Sequence, residues 1–304
     1  MSSILRGSLL ISAAMLIFTV MSAFIKATAP EVPAGQSMFF RAAFAIPVIL
    51  VWLWWDGALP SGLKTQNWVS HAKRGIVGSC AMGLGFWGLG LIPLPEAAAI
   101  RFATPIILVV LAAVMLGERI RMFRISAVFM GLIGVLIILW PRLGAGLSDG
   151  ATLGAMVTLA SAALAALAQV FVKGMAGRET TAAIVFYFSL TAATLSLVTV
   201  PYWVWPSFEN WLFLIGAGII GGFGQICLTS SYKYAEAGAL APFTYTSMLW
   251  SVLIGWLWFA ELPTVWMLAG GSLVIAAGAL IVWRERALGQ DRTARRKVRA
   301  KGIQ

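Results

Sequence analysis

The stretch PIILVVLAAVML, residues 105–116, decides the fold class, because twelve consecutive positions carry no polar side chain and no face of the segment suits water. A membrane β-strand would alternate apolar and polar residues, and this run does not. A helix rising 1.5 Å per residue needs about 20 such residues to cross a hydrocarbon core roughly 30 Å thick, with its backbone groups satisfied internally. Read outward from this stretch in both directions, the chain repeats the pattern. It predicts ten spans, at about 8–26, 35–55, 74–92, 96–116, 122–140, 151–173, 181–203, 211–232, 237–259 and 264–283, each closed by a proline, a glycine cluster or a charge. The fold class expected is an all-α integral membrane protein.

Composition agrees. Hydrophobic residues make up 60% of the 304 residues and charged residues 11%, with a mean hydropathy of +0.90. A soluble domain carries about 25% charged residues, so the solvent is lipid. The first span has Arg6 before it and Ala27-Thr28-Ala29 after it, as a secretory signal would, but its apolar stretch exceeds the roughly 7–15 residues of a signal core. Cys80 and Cys227 both fall inside spans and read as small packing residues, with no disulfide framework or metal site implied.

Orientation follows from the basic residues. With the amino terminus in the cytoplasm, 18 of the 22 Lys and Arg residues fall in cytoplasmic loops or in the tail at 284–304, leaving Lys26, Arg41, Arg101 and Arg142. This satisfies the positive-inside rule and places both termini in the cytoplasm, as in a bacterial inner membrane. The net charge of +11 is then a topology signal with affinity for anionic lipid, and no nucleic-acid partner is implied.

The polar segment at 142–149 divides the spans into two fives that look related. Lys26 and Lys173 close the first and sixth spans at an offset of 147 residues, and the same offset joins Gly75 to Gly222 and Cys80 to Cys227. Glu118 and Glu261 end the fourth and ninth spans at an offset of 143. An odd number of spans per copy inverts the second copy in the membrane. Such inverted repeats form a solute site near the bilayer midplane at their interface and expose it alternately to the two sides. The expected divisions are 1–146 and 147–284 for the repeats and 285–304 for a basic cytoplasmic tail.

Several stretches resemble the drug/metabolite transporter superfamily and, within it, the EamA-type proteins with two five-helix repeats. They are MFFRAAFAIP at 38–47, PLPEAAAIRFATPIILVVLAAVMLGERI at 93–120, FMGLIGVLIILWP at 129–141 and AEAGALAPFTYTSMLWSVLIGWLWFAELPT at 235–264. The resemblance covers roughly residues 5–285. It implies a secondary transporter without a cofactor. The substrates it implies are broad: amino acids and their derivatives, vitamins such as riboflavin, nucleoside-like metabolites or toxic compounds.

A charge inside a span costs a few kcal/mol unless paired or hydrated, so the embedded ones are the candidate site residues. Arg41 lies about two turns into the second span and Arg101 about one and a half into the fourth, both from the external side, with Glu96 five residues before Arg101. Two readings stand. Either the arginines bind an anionic or polar part of a solute, with Glu96 as partner or proton carrier, or the three form an interhelical network that fixes packing. Lys26 and Lys173 are candidates for coupling or gating, although lysines at span ends commonly snorkel to headgroups. Glu118 and Glu261 also stand at span ends, where a gate or a helix-terminus contact is one reading and solvation by loops the leading expectation.

The ninth span bears a polar and aromatic strip, Pro242, Thr244, Tyr245, Thr246, Ser247 and Trp250. Pro242 removes a backbone donor and frees a carbonyl, which is useful only beside a cavity or a neighbouring helix. Tyr245 and Trp250 are therefore candidate solute contacts, together with Trp87, Gln169, Tyr187 and Gln225. Aromatic residues also gather at membrane interfaces, and a buried amide needs partners of its own, so the glutamines carry the stronger signal.

Gly83, Gly85 and Gly88 match the spacing of a dinucleotide fingerprint, but no strand precedes them, and close helix packing is the better reading, as for Gly218 and Gly222. His71 is the single histidine and is expected in a cytoplasmic loop, with no nucleophile or metal-ligand cluster around it. The leading function is a secondary transporter of a small organic solute by alternating access, with riboflavin as first candidate and an amino acid second. No ATP-binding motif is present, so a gradient drives transport or the solute runs downhill. A membrane enzyme acting on lipid-linked substrates would need an acidic or histidine cluster near one headgroup region, which the loops lack. A receptor or scaffold would need a sizeable soluble domain.

Overall fold

The computed structural model describes residues 3–116, 122–142, 149–175, 178–231, 234 and 243–280. The tail from 285, together with Glu118 and Pro242, lies outside the described residues. Among the described residues, eleven helices build the ten spans: α1 Ser3–Thr28, α2 Ala34–Trp55, α3 Trp68–Leu91, α4 Leu94–Arg101, α5 Ala103–Leu116, α6 Met122–Leu139, α7 Gly150–Met175, α8 Thr181–Ser196, α9 Phe208–Ser231, α10 Thr246–Phe259 and α11 Val265–Leu280. Five of the spans are long and apolar enough to cross a membrane by length and composition alone.

Local chemistry sets the ends. Asn67 Oδ1 accepts from the Ser70 N–H at 3.0 Å, Thr180 Oγ1 from Ala183 at 3.1 Å and Asp149 Oδ2 from Thr152 at 3.0 Å, so α3, α8 and α7 each begin on a side-chain cap. The fourth span is broken at Phe102 into α4 and α5. Pro105 has no N–H to offer the carbonyl of Arg101, four residues back, and this weakens the helix where it breaks. The seventh span ends in a 3₁₀ turn, Leu197–Tyr202, which contains Pro201. α10 ends at Ala260, whose φ of 54° lies in the left-handed region.

Ten successive spans put the loops at 29–33, 92–93, 203–207 and 260–264 on one side of the membrane, called here the far face. The start of α1, the end of α11 and the loops at 56–67 and 178–180 lie on the other, called here the terminal face. Polar contacts between distant loops respect this division. On the far face, Gln36 exchanges hydrogen bonds with the backbone of Val204 at 2.9 and 3.1 Å, and Asn210 Nδ2 donates to Glu31 at 2.7 Å. On the terminal face, Glu179 accepts from the Gln66 N–H at 3.0 Å, Thr180 donates to the Gly62 carbonyl at 2.6 Å and Tyr187 donates to that of Leu63 at 2.9 Å.

In lipid no hydrophobic effect draws helices together, so association depends on close packing of small residues. Here that packing reveals the inverted repeat. Gly75 of α3 packs on Thr191 of α8, while its counterpart Gly222 of α9 packs on Val48 of α2, the helix equivalent to α8. The backbones of α6 and α11 touch where Gly134 meets Gly270, and a Cβ at Gly134 would stand 2.7 Å from the Gly270 carbonyl oxygen. Gly131 faces Ala277 and Gly134 faces Val274, and the 143-residue offset of the glutamates exchanges these two contacts. Gly85 and Gly88 face Ser161 and Thr158 of α7, which bears out close packing. Apolar side chains of the spans such as Val114, Phe129 and Leu257 point outward, as a surface facing lipid requires.

Candidate functional site

Two further polar groupings among the described residues join the repeats. The first, on the far face, is centred on Lys26, in the last turn of α1, where a cation also complements the helix dipole. Its Nζ stands 3.0 Å from Glu261 Oε1 and donates to the carbonyl of Ile92 at 2.7 Å, with that of Leu89 at 3.4 Å. The other Glu261 oxygen accepts from the Leu94 N–H at 2.8 Å, at the start of α4. Lys26 therefore binds carbonyls where α3 ends, Glu261 caps α4, and the two charges neutralise each other. The Phe259 ring lies 5.6 Å from the ammonium. Glu261, expected to be solvated, is drawn in because Ala260 turns the chain sharply at the end of α10. Its N–H returns to the Gly255 carbonyl at 2.9 Å.

The second grouping lies near the middle of the bundle. Arg41 extends from α2, starting on the far-face side, and Arg74 extends from α3, starting on the terminal side. Both guanidiniums address the ring of Phe188 in α8, with Cζ to centroid distances of 5.9 Å for Arg41 and 4.1 Å for Arg74. These are within cation–π range. Arg74 runs along its own helix over Gly78, where a Cβ would strike its Nη1 and stand 3.0 Å from Phe188 Cε2. Arg41 passes Gly221 of α9, where a Cβ would be 3.6 Å from its Nε.

The structure distributes the other sequence-selected residues as follows. Arg101, at the end of α4, is exposed and makes no contact with Arg41, so Arg41 meets Arg74 and not Arg101. Glu96 is buried in the first turn of α4. Tyr245 packs against Phe102 with the rings tilted and their centroids 5.3 Å apart, and against Gly278 of α11, and Trp250 keeps a buried indole N–H without a hydrogen-bond partner among the described residues. Gln225 lines a small recess with Ile49, Trp52, Val185 and Ile226. Gln169 and Trp87 are exposed, and the Lys173 side chain lies outside the described residues.

Tyr187 is engaged at the terminal face, 4.9 Å from the rings of both Trp68 and His71. His71 is in the first turn of α3 and not in a loop, 3% exposed, with Nε2 3.3 Å from Glu179 Oε2 but without the alignment of a hydrogen bond. Burial pushes the Glu179 carboxyl up. The hydrogen bond from the Gln66 N–H, the Thr65 hydroxyl and the nearby His71 imidazole outweigh it and hold the carboxyl below its ordinary range. Among the described residues no group of His, Cys, Asp or Glu is arranged to hold a metal ion.

Sequence reasoning missed Arg74 as a site residue, because hydropathy starts the third span at 74 and made it a boundary charge. The helix starts six residues earlier, at Trp68, on the Asn67 cap. The signal was present as the spacing of Arg74 and Gly78, an arginine with a bare turn beside it.

An all-helical chain of ten spans in two inverted five-helix repeats is a multi-pass membrane protein of the transporter class. The chain belongs to the EamA-like transporter family, whose description matches residues 5–140 and again 152–283. It is 29% identical to the pseudopaline exporter of Pseudomonas aeruginosa (strain UCBPP-PA14) over 89% of this chain and 94% of that protein. To the riboflavin transporter of Vibrio cholerae it is 26% identical over 95% of this chain and 97% of that protein. A protein of known crystal structure shares the fold with a TM-score of 0.66, at 22% identity, over 93% of this chain and 98% of that one.

Proposed function

We propose that this protein is a secondary transporter that moves a small organic solute across a bacterial inner membrane by alternating access, with the terminal face in the cytoplasm. The observation that carries this reading is the far-face junction. Lys26 belongs to the first repeat and Glu261 to the second, and their contact ties α1, the α3–α4 corner and α10 together on one face. Separating them frees the repeats to part at that face. The solute path then runs along the repeat interface, with Arg41, Arg101, Tyr245, Trp250 and Gln225 as candidate contacts and Glu96 as candidate proton carrier.

Riboflavin is the first solute to test, supported by the aromatic residues of the ninth span and by the named activity of the Vibrio cholerae relative. An amino acid or its derivative is the second reading, favoured by the buried arginines. The experiment is counterflow in proteoliposomes with labelled riboflavin and an amino-acid panel. Flux no faster than in empty liposomes for every solute would sink the transport reading. Reporter fusions at the carboxyl terminus test the orientation, and a periplasmic signal would reverse it.

A further inference from the structure

We propose that Arg41 and Arg74 together form an oxyanion seat at the repeat interface, taking a carboxylate, phosphate or sulfonate group of the transported solute, with Phe188 as its aromatic wall. The inference rests on the transport reading and names the chemistry of its substrate.

The first argument is unmet hydrogen bonding. Arg41 is 7% exposed, and among the described residues its Nε, with the Nε and Nη1 of Arg74, is buried without a hydrogen-bond partner. Buried donors of this kind are nearly always satisfied, and an unpaired guanidinium in a span is costly. Among the described residues neither arginine has a carboxylate within ion-pair distance, and the two guanidiniums approach the same ring. The described protein supplies a ring face and no counter-charge. Two planar forks facing one locus match an oxyanion, which accepts paired hydrogen bonds from each, whereas a neutral amide would leave both cations uncompensated.

The second argument is symmetry. The 147-residue offset, bracketed by Lys26 with Lys173 and by Cys80 with Cys227, carries Arg41 onto Phe188 and Arg74 onto Gly221. Arg41 touches Phe188 and also lies beside Gly221. Residues that are each other's counterparts and are also in contact must lie on the axis relating the two repeats. That axis runs in the membrane plane, where inverted-repeat transporters bind their solutes. The same two positions that meet on the axis hold a cation in one copy and a ring or no side chain in the other. Packing preserved by duplication would keep them alike, as it does for Gly75 and Gly222. Gly78 leaves the space that the Arg74 guanidinium occupies.

The test measures binding and flux separately, on full-length protein in nanodiscs and in proteoliposomes. Binding is read by tryptophan fluorescence with two matched pairs of probes, benzoate against benzamide and riboflavin 5′-phosphate against riboflavin. The seat predicts that the charged member of at least one pair binds ten-fold or more tightly than its neutral partner. Arg41→Gln and Arg74→Gln should each remove that preference. Gly78→Ala, which keeps every charge but displaces the Arg74 head, should weaken anion binding ten-fold in protein that still elutes as a folded species, so the proposal does not depend on the arginine variants folding. Binding of no charged probe to the wild type, or an unchanged preference in Gly78→Ala and either arginine variant, overturns the seat. Charged-probe binding lost when phosphatidylglycerol replaces a zwitterionic lipid, with no effect of the solutes on each other, would overturn it too, since the source would be a headgroup. Binding with the predicted preference but no flux of any solute keeps the seat and refutes transport. Flux indifferent to all three variants does the reverse.

Discussion

Replacing Lys26 by methionine keeps the length of the side chain and removes its charge, leaving Glu261 without its ion partner and the Ile92 carbonyl without its donor. Removing one member of a fully buried pair costs about 3–5 kcal/mol, and a hydrogen bond to a charged group contributes about 1.5–3 kcal/mol. The two side chains are 12% and 18% exposed, so water relieves part of this cost and about 2–3 kcal/mol is the expected loss. At about 1.4 kcal/mol per tenfold, the far face opens about 30- to 150-fold more often. The Leu94 amide, held by Glu261 Oε2 at 2.8 Å, reports this directly by hydrogen exchange. Its exchange in nanodiscs should quicken by the same factor in Lys26→Met, and further in Glu261→Ala. The charge-swapped pair Lys26→Glu with Glu261→Lys is the sharper arm. A simple ion pair would be restored by exchange of its members, but here a glutamate would face the Ile92 carbonyl and a lysine cannot accept from Leu94. Protection should stay lost. Recovery in the swap, or unchanged exchange in Lys26→Met, would refute the reasoning.

Ala260→Gly relieves a left-handed residue at the end of α10 and should stabilise the protein by up to about 1 kcal/mol, read as a higher apparent Tm in detergent. Gly134→Ala places a Cβ 2.7 Å from the Gly270 carbonyl oxygen, an atom that cannot swing aside, and should cost about 1–3 kcal/mol by the same measurement. Because Glu179 is held below the ordinary carboxylate range, its stabilisation is complete above its unfolded pKa and is lost as pH falls through the lower folded value. Exchange of the Gln66 amide should therefore be protected at neutral pH beyond its intrinsic rate and lose that protection only in acid below about pH 4, while Glu179→Ala loses it throughout. Protection that disappears above the carboxylate range would contradict this.

The spans and their grouping into five and five were legible because both rest on local hydropathy and chain order. Span ends were legible only where an apolar run stops abruptly. The first two turns of α3, WVSHAKR, are polar enough to read as loop, which hid the depth of Arg74 and placed His71 outside the helix. Contacts between helices were not legible at all. Lys26 read as a snorkelling lysine and Glu261 as a solvated one, because nothing local to either shows that α1 and α10 end side by side. Tyr187 was grouped with Tyr245 on chemical likeness, yet its hydroxyl reaches Leu63 at the terminal face, while Tyr245 packs between Phe102 and Gly278.

The repeat offset carries more information once contacts are known. In sequence, an offset of 147 residues was a run of coincidences between lysines, glycines and cysteines. In three dimensions it becomes a test, since any pair of counterparts that touch marks the symmetry axis. The contacts Gly131–Ala277 and Gly134–Val274, which the 143-residue offset exchanges, straddle it between α6 and α11, where the two copies have kept small or β-branched residues and the backbones meet. Arg41 with Phe188 marks it between α2 and α8, where the copies have diverged in charge. Packing needs the axis to be tight and tolerates symmetry, as the first crossing shows. A solute that is itself asymmetric has no use for two identical half-sites, and the second crossing is where the chain has ceased to repeat itself.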